Sequence, residues 1–280
     1  MGLNMSNCKK CGSVLKPGEY YCNNCGTLDI QPVKRARWGW LPWAVAAFTA
    51  ATALVFLVPM AVYAYRDKTG YFDRLNQARA AENVSITDAI DTSFKNELTG
   101  ERERFRYPNV TIKILRSGKK KTEEYGRIER DIEKYYEGNN RHKYAADYSY
   151  HIDKTNVVSV LVEVRSLSGT PSSRFYVYNI SVNSGNTKRD EALISDLKIS
   201  DEAFNQLVEE TYKSYFKTAD LTEWEKDELL DNISYSELNP YIGEDGHLCF
   251  AVKISKEDGS SEWAIFDTDT KKRLDGPLSK

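Results

Sequence analysis

The spacing of apolar residues divides this chain before any motif is considered. From Trp38 to Tyr65 no charged residue occurs, a run longer than the roughly 20 residues that span a hydrocarbon core. Trp38, Trp40 and Trp43 mark one end and Tyr63 and Tyr65 the other, as aromatic rings do at the two membrane interfaces. The run predicts one transmembrane helix over residues 38–65. A signal peptide is the poorer account: the run is too long, a cysteine-rich segment precedes it, and no small-residue cleavage pattern follows. Ala46 with Ala50, and Ala47 with Ala51, place small residues four apart; alanine is common in spans, and this spacing does not require a packing face.

Residues 66–106 are polar and charged, with one periodic patch. Ile86, Ile90, Phe94 and Leu98 recur every fourth position, the spacing of one helix face. Ser85 followed by Asp88 supplies a start and Gly100 an end, so the segment is expected to be a helical stalk. The run from Glu101 to Arg106 reads as a solvated junction.

Beyond it, over residues 107–280, the pattern changes. Val110, Ile112 and Ile114 alternate with polar residues, as in a half-buried strand. Tyr125, Ile128, Ile132 and Tyr135 follow helical spacing. Three strand-like runs come next. Tyr144, Ala146, Tyr148, Tyr150 and Ile152 share a face; Val157 to Val164 is apolar on both faces and therefore central; Arg174 to Val182 is the third, ending at a Ser184-Gly185 turn. A helix is expected from Asp201 to about Lys217, capped by Ser200, with Phe204, Leu207, Val208, Tyr212 and Tyr215 inward. Thr222 and Glu225 form a capping box for a shorter helix ending near Ile233. Leu248 to Ile254 and Glu262 to Asp267 flank Asp258-Gly259, a hairpin signal. Strands grouped with a few helices predict an α+β domain on an antiparallel sheet.

Composition adds two points. The net charge of −2 gives no basic field for nucleic acid, and none is expected as a partner. Four of the five cysteines fall within the first 25 residues, where a disulfide framework would spread them through the folded part.

Cys8-x-x-Cys11 and Cys22-x-x-Cys25 are two matched pairs, each followed directly by glycine, Gly12 and Gly26. Paired thiolates at this spacing suit a tetrahedral zinc ion, and glycine tolerates the positive φ such turns require. Residues 1–30 have too few apolar side chains for a core, so bound metal would supply the folding energy. Two disulfides or a redox pair are the alternatives; the doubling of the motif and the lack of a surrounding βαβ pattern disfavour a redox pair. The expectation is a zinc ribbon over residues 1–30 with a structural Zn2+ on Cys8, Cys11, Cys22 and Cys25. This 1–30 stretch resembles the short zinc ribbons at the N-termini of many bacterial membrane proteins. A basic linker, residues 31–37, carries Lys34, Arg35 and Arg37, against Arg66 and Lys68 beyond the span. That asymmetry, with the preference of thiolates for a reducing compartment, predicts a cytoplasmic N-terminus and an extracytoplasmic C-terminal domain in a cell membrane.

The outer domain resembles the extracytoplasmic domain shared by the anti-sigma-V factor of Gram-positive bacteria and the N-terminal part of certain peptidoglycan deacetylases. The likeness rests on element order over about residues 108–270. It also rests on Phe175-Tyr176-Val177-Tyr178-Asn179-Ile180, Asn183-Ser184-Gly185-Asn186 and Leu193-Ile194-Ser195-Asp196-Leu197 ahead of the Phe204 helix. Ser184 and Asn186 replace the flanking residues of the family's Thr-Gly-Lys-like turn. The resemblance implies a binding or sensing module at the cell wall, with lysozyme or peptidoglycan as the outer partner. An anti-sigma factor needs a cytoplasmic segment that clasps its sigma factor, whereas here the inside holds only a ribbon and a short linker. The architecture also resembles ribbon-plus-span envelope proteins linked to wall homeostasis and glycopeptide response.

No enzyme is expected. His142, His151 and His247 are the only histidines, and none has metal-ligand spacing to another; Cys249, between Leu248 and Phe250, reads as a buried inert thiol. The family's deacetylase chemistry resides in a separate domain with Asp and His ligands. Of the eighteen tyrosines, Tyr148, Tyr150, Tyr176 and Tyr178 are the candidates for binding a ligand, against the simpler reading that they fill one side of the sheet. Lys119-Lys120-Lys121 reads as a solvated turn. The expected function is a membrane-anchored envelope sensor or ligand-binding protein, in contact with membrane lipid and an unidentified cytoplasmic protein. The alternative is a structural or assembly factor of a wall complex that transmits no signal.

Overall fold

A computed structural model describes residues 6–16, 19, 21–28, 41–113, 120–121, 123–140, 142–169, 172–233 and 235–279. The chain divides into two units, Met1–Tyr63 and Ala64–Lys280. Lys34, Arg35, Arg37, Trp38, Trp40, Ile114 and Lys119, which figured in the expectations above, lie outside the described residues.

In the first unit, β1 (Ser6–Asn7) pairs antiparallel with β2 (Val14–Leu15). The helix α1 runs from Leu41 to Lys68. From Ala47 to Lys68 it is apolar enough, with mean hydropathy 1.9, and long enough to cross a membrane; at ~1.5 Å per residue these residues cover about 33 Å, against a hydrocarbon core of about 30 Å. Its large side chains, Phe48, Leu54, Val55, Phe56 and Met60 among them, are exposed, unlike those of a helix packed in a core. The hydroxyls of Thr49 and Thr52 donate back to the carbonyls of Val45 and Phe48 at 3.0 and 2.9 Å, which satisfies them within the helix. Ala46, Ala50 and Ala51 have no described side-chain environment.

The second unit opens with α2 (Tyr71–Glu82), then departs from the expected stalk. Val84–Lys95 is a strand, β3, paired antiparallel with β4 (Arg102–Lys113). The helical stalk over 66–106 is therefore corrected: helix persists only to Glu82, and the rest is a hairpin. Spacing by four residues fits period two as well as period 3.6, and Val84, Ile86, Thr87, Ile90 and Thr92 supply the β-branching that strands favour. A register shift between Asp88 and Ile90 falls opposite Pro108, which has no N–H for the ladder. The boundary drawn at residue 107 also moves, because it would cut β4 in half.

The remaining elements, in chain order, are β5 (Lys120–Lys121), α3 (Glu123–Ile132), β6 (Tyr144–Ile152), β7 (Val157–Ser166), β8 (Ser173–Ser181), α4 (Asp190–Asp196) and α5 (Asp201–Tyr215). They continue with α6 (Glu223–Asp231), α7 (Tyr235–Leu238), β9 (Pro240–Ile242), β10 (Leu248–Ser255), β11 (Ser261–Asp267) and β12 (Lys272–Leu274). One sheet has the order β3-β4-β6-β7-β8 with β5 beside β4, and a second the order β12-β11-β10-β9. The first is mixed and not wholly antiparallel, because β4 and β6 meet in parallel at Phe105 and Ala146. The caps form as read: Ser200 Oγ accepts from Ala203 N at 3.2 Å, and Thr222 and Glu225 make both bonds of the capping box.

Packing follows from which faces are apolar. Every residue of β7 from Val157 to Val164 is buried. Val158, Val160, Val162 and Val164 point to one side, where Ala80 of α2 and Ile128 and Ile132 of α3 cover them. On the other side Leu161 and Phe175 meet Tyr241, Cys249, Ala251 and Ile265 of the second sheet. The far face of that sheet, with Phe250, Val252 and Phe266, packs on Phe204, Val208 and Tyr212 of α5. The layers run helix, sheet, sheet, helix.

The inner face of β7 also carries buried polar groups, and each is used. Ser159 Oγ donates to Asn179 Oδ1 at 2.7 Å and accepts from Ile242 N at 3.1 Å; Asn179 Nδ2 donates to Pro240 O at 2.8 Å. Short strand β9 is thereby fastened to the first sheet. Glu163 accepts from Ser173 Oγ at 2.6 Å and from Leu278 N at 3.0 Å, tying the C-terminal segment across the same face. A Cβ at Gly276 would overlap the Glu163 carboxylate, so only glycine lets that segment approach.

Candidate metal centre and the tyrosine face

The two cysteine pairs fold as copies of one turn. Gly12 N donates to Cys8 O and Cys8 N to Ser13 O, both at 2.8 Å; Gly26 N donates to Cys22 O at 2.8 Å and Cys22 N to Thr27 O at 2.9 Å. Gly12 and Gly26 have φ of 73° and 68°, the left-handed conformation that a Cβ disfavours. Each turn offers two sulfurs on one side. Cys8 Sγ lies 3.6 Å from Cys25 Sγ, and Cys11 Sγ lies 3.6 Å from Cys22 Sγ.

All four sulfurs lie within 4.8 Å of one another and could hold a metal ion. A tetrahedron with metal–sulfur bonds of about 2.3 Å has sulfurs about 3.8 Å apart, so the residues fit such an ion. A disulfide would need a sulfur separation of about 2.05 Å, and all the cysteines are free. Ser13 Oγ and Thr27 Oγ1 lie 3.2 Å from Cys11 Sγ and Cys25 Sγ. The contact with Ser13 lowers the Cys11 thiol toward the thiolate a metal requires, whereas the facing Cys22 thiol is raised. Ser13 and Thr27 are the positions that motif reading passed over; a hydroxyl at the same offset in both pairs was the available signal.

The four candidate tyrosines share one face of the first sheet, since Tyr148 and Tyr176 both oppose Val162, and Tyr150 and Tyr178 both oppose Val160. They do not form an open platform. Tyr178 is buried and donates to Asp131 Oδ2 at 3.1 Å; Tyr176 bonds Tyr135 at 2.6 Å; Tyr148 donates to Asp88 Oδ1 at 2.8 Å beneath the Arg106 guanidinium. Only Tyr150 is exposed, at 46%. Burial, with these acidic partners, pushes the Tyr148 and Tyr178 phenols up. Three of the four hydroxyls are thus engaged within the fold.

His142 stacks on Phe94, and His151 Nδ1 lies 3.1 Å from Glu244 O while its Nε2 lies 3.4 Å from Gln77 Nε2. His247 has a richer setting than its turn position implied. Its Nδ1 lies 3.1 Å from Asp267 and 3.2 Å from Asp245, and its Nε2 lies 3.6 Å from Asp269. The hydrogen bond with Asp267 holds the imidazole above its ordinary range. The spacing Asp-x-His and Asp-x-Asp was visible, but only the β10–β11 register, with Cys249 opposite Asp267, brings the two together. Cys249 is buried, and burial pushes its thiol up to about 12.

No family model matches the chain, and no curated protein matches it.

Proposed function

We propose that this chain is a single-pass, membrane-anchored sensor or ligand-binding protein of the bacterial cell envelope. The observation that carries the reading is a chain with a closed four-thiolate metal site before an exposed apolar helix and a large α+β unit after it. The site takes a structural Zn2+, because four protein thiolates leave no open position for chemistry. The ribbon is cytoplasmic, supported by Lys34, Arg35 and Arg37 before the helix and by the reducing environment thiolates favour.

The outer unit binds a wall-directed protein of the lysozyme type or a wall glycan, and the ribbon meets a cytoplasmic protein. The resemblance to the anti-sigma-V and deacetylase module supports the outer half of this reading. The protein is a binding module and not an enzyme. Two measurements on intact cells and membranes test it. A membrane-impermeant thiol reagent should leave the ribbon cysteines unlabelled until the cells are opened; labelling of intact cells would reverse the topology. Calorimetry of full-length protein in nanodiscs with lysozyme and with soluble wall fragments should show saturable binding to one of them. Binding to neither, with constant partner association under wall stress, would favour the non-signalling assembly factor.

A further inference from the structure

A cavity of 310 Å³ opens beside α5, α6 and β10, near the lower limit of small-molecule sites. It exists because β9 is short. Pro240 opposes Phe250, and the preceding Asn239, with φ of 43°, leads back to α7, so no strand continues along β10 past Ala251. Ala251 still exchanges bonds with Asn239, its N–H donating to Asn239 O at 3.3 Å and its carbonyl accepting from Asn239 Nδ2 at 3.2 Å. The alternation of an antiparallel ladder aims the backbone groups of Lys253 and Ser255 to the same side, where no described residue pairs with them.

A second observation is independent of that edge. Tyr212 of α5 is fully buried, its ring edge-on to Phe250 and Phe266 at 5.6 and 5.7 Å, yet its hydroxyl has no partner among the described residues. Native folds rarely leave a buried hydroxyl unpaired, and this residue lines the cavity. Leu229 and Val252 give an apolar wall, and Glu228 and Glu237, which form no ion pair with a described residue, add two carboxylates; the Lys253 side chain leaves β10 on the face opposite Val252.

We propose that this cavity is a binding site for a small polyhydroxylated ligand without negative charge, a single sugar residue. Ligand hydroxyls would donate to Glu228 and Glu237 and accept from the open backbone N–H groups of Lys253 and Ser255. One hydroxyl would satisfy Tyr212, and the C–H face would lie on Leu229 and Val252. An anion would meet the two glutamates, while an extended peptide would find only two free rungs. The inference goes beyond the sensor reading and does not depend on which way α1 crosses a membrane.

The test is saturation-transfer NMR on full-length protein in nanodiscs, which avoids sugar-headed detergents, with glucose, galactose and N-acetylglucosamine as probes. Saturable transfer from at least one is expected. Tyr212→Phe should weaken it roughly 2- to 10-fold, the range for losing one hydrogen bond, without lowering Tm, because it removes an unpaired hydroxyl. Glu228→Gln should weaken it by a similar factor. No transfer from any of the three sugars would overturn the proposal, and so would transfer unchanged in both variants.

Discussion

Removing one oxygen atom should unfasten the two sheets from each other. Ser159→Ala deletes the Oγ that donates to Asn179 and accepts from Ile242 N. Ser159 is 1% exposed and Asn179 3% exposed, so water cannot replace the lost partner without opening the interface. The variant leaves two buried groups unpaired, Asn179 Oδ1 and Ile242 N–H, at about 1–3 kcal/mol each. The sum is about 2–6 kcal/mol, well above the ordinary effect of trimming a serine. For a unit of this size each kcal/mol shifts Tm by roughly 2–4 °C, so the fall should be at least ~4 °C. Thermal unfolding of the full-length protein in nanodiscs, followed by tryptophan fluorescence, reads it. Asn179→Ala breaks the same network, and the double variant should therefore cost less than the sum of the single ones. A fall below about 2 °C, or strict additivity, would refute the claim that this network fastens β9 to the first sheet.

Other outcomes follow from individual contacts. Gly276→Ala places a methyl group into the Glu163 carboxylate and should lower Tm and free the C-terminal residues to proteolysis, whereas Gly126→Ala, inside α3 with only the Arg130 side chain nearby, should leave the C-terminus protected. Burial pushes the Asp190 carboxyl up to about 6. Its neutral form therefore favours the fold below the unfolded value near 4, and that contribution is lost as pH rises through about 6. Asp190→Asn should accordingly raise Tm at pH 7 and leave it unchanged near pH 4. A thiol-reactive mercurial should release one metal ion per chain, identified as zinc by elemental analysis, and Cys22→Ser should abolish the release; iron, or no metal, would remove the zinc assignment.

Local chemistry was legible wherever a short stretch decides its own geometry. The matched Cys-x-x-Cys-Gly pairs foretold two like turns, and the structure brings Cys8, Cys11, Cys22 and Cys25 within reach of one ion. The uncharged run could be read as a membrane-length helix because hydropathy and length are additive along the chain. Caps at Ser200 and Thr222, the hairpin at Gly259 and the doubly apolar β7 are likewise decided within a few residues. Tertiary structure decided the rest. Ile86, Ile90 and Phe94 fit both periods, and only pairing with β4 made them a strand. Tyr148 and Tyr150 could be read onto one strand face, but Tyr176 and Tyr178 join them only through the register with β7, and their exposure depended on α3 and on Asp88 and Asp131, residues remote in sequence. The same holds for the Ser159–Asn179–β9 network, the His247 cluster and the cavity at Tyr212. Each joins side chains separated by twenty or more residues, a juxtaposition set by the order in which strands pair and layers pack, which no local pattern encodes.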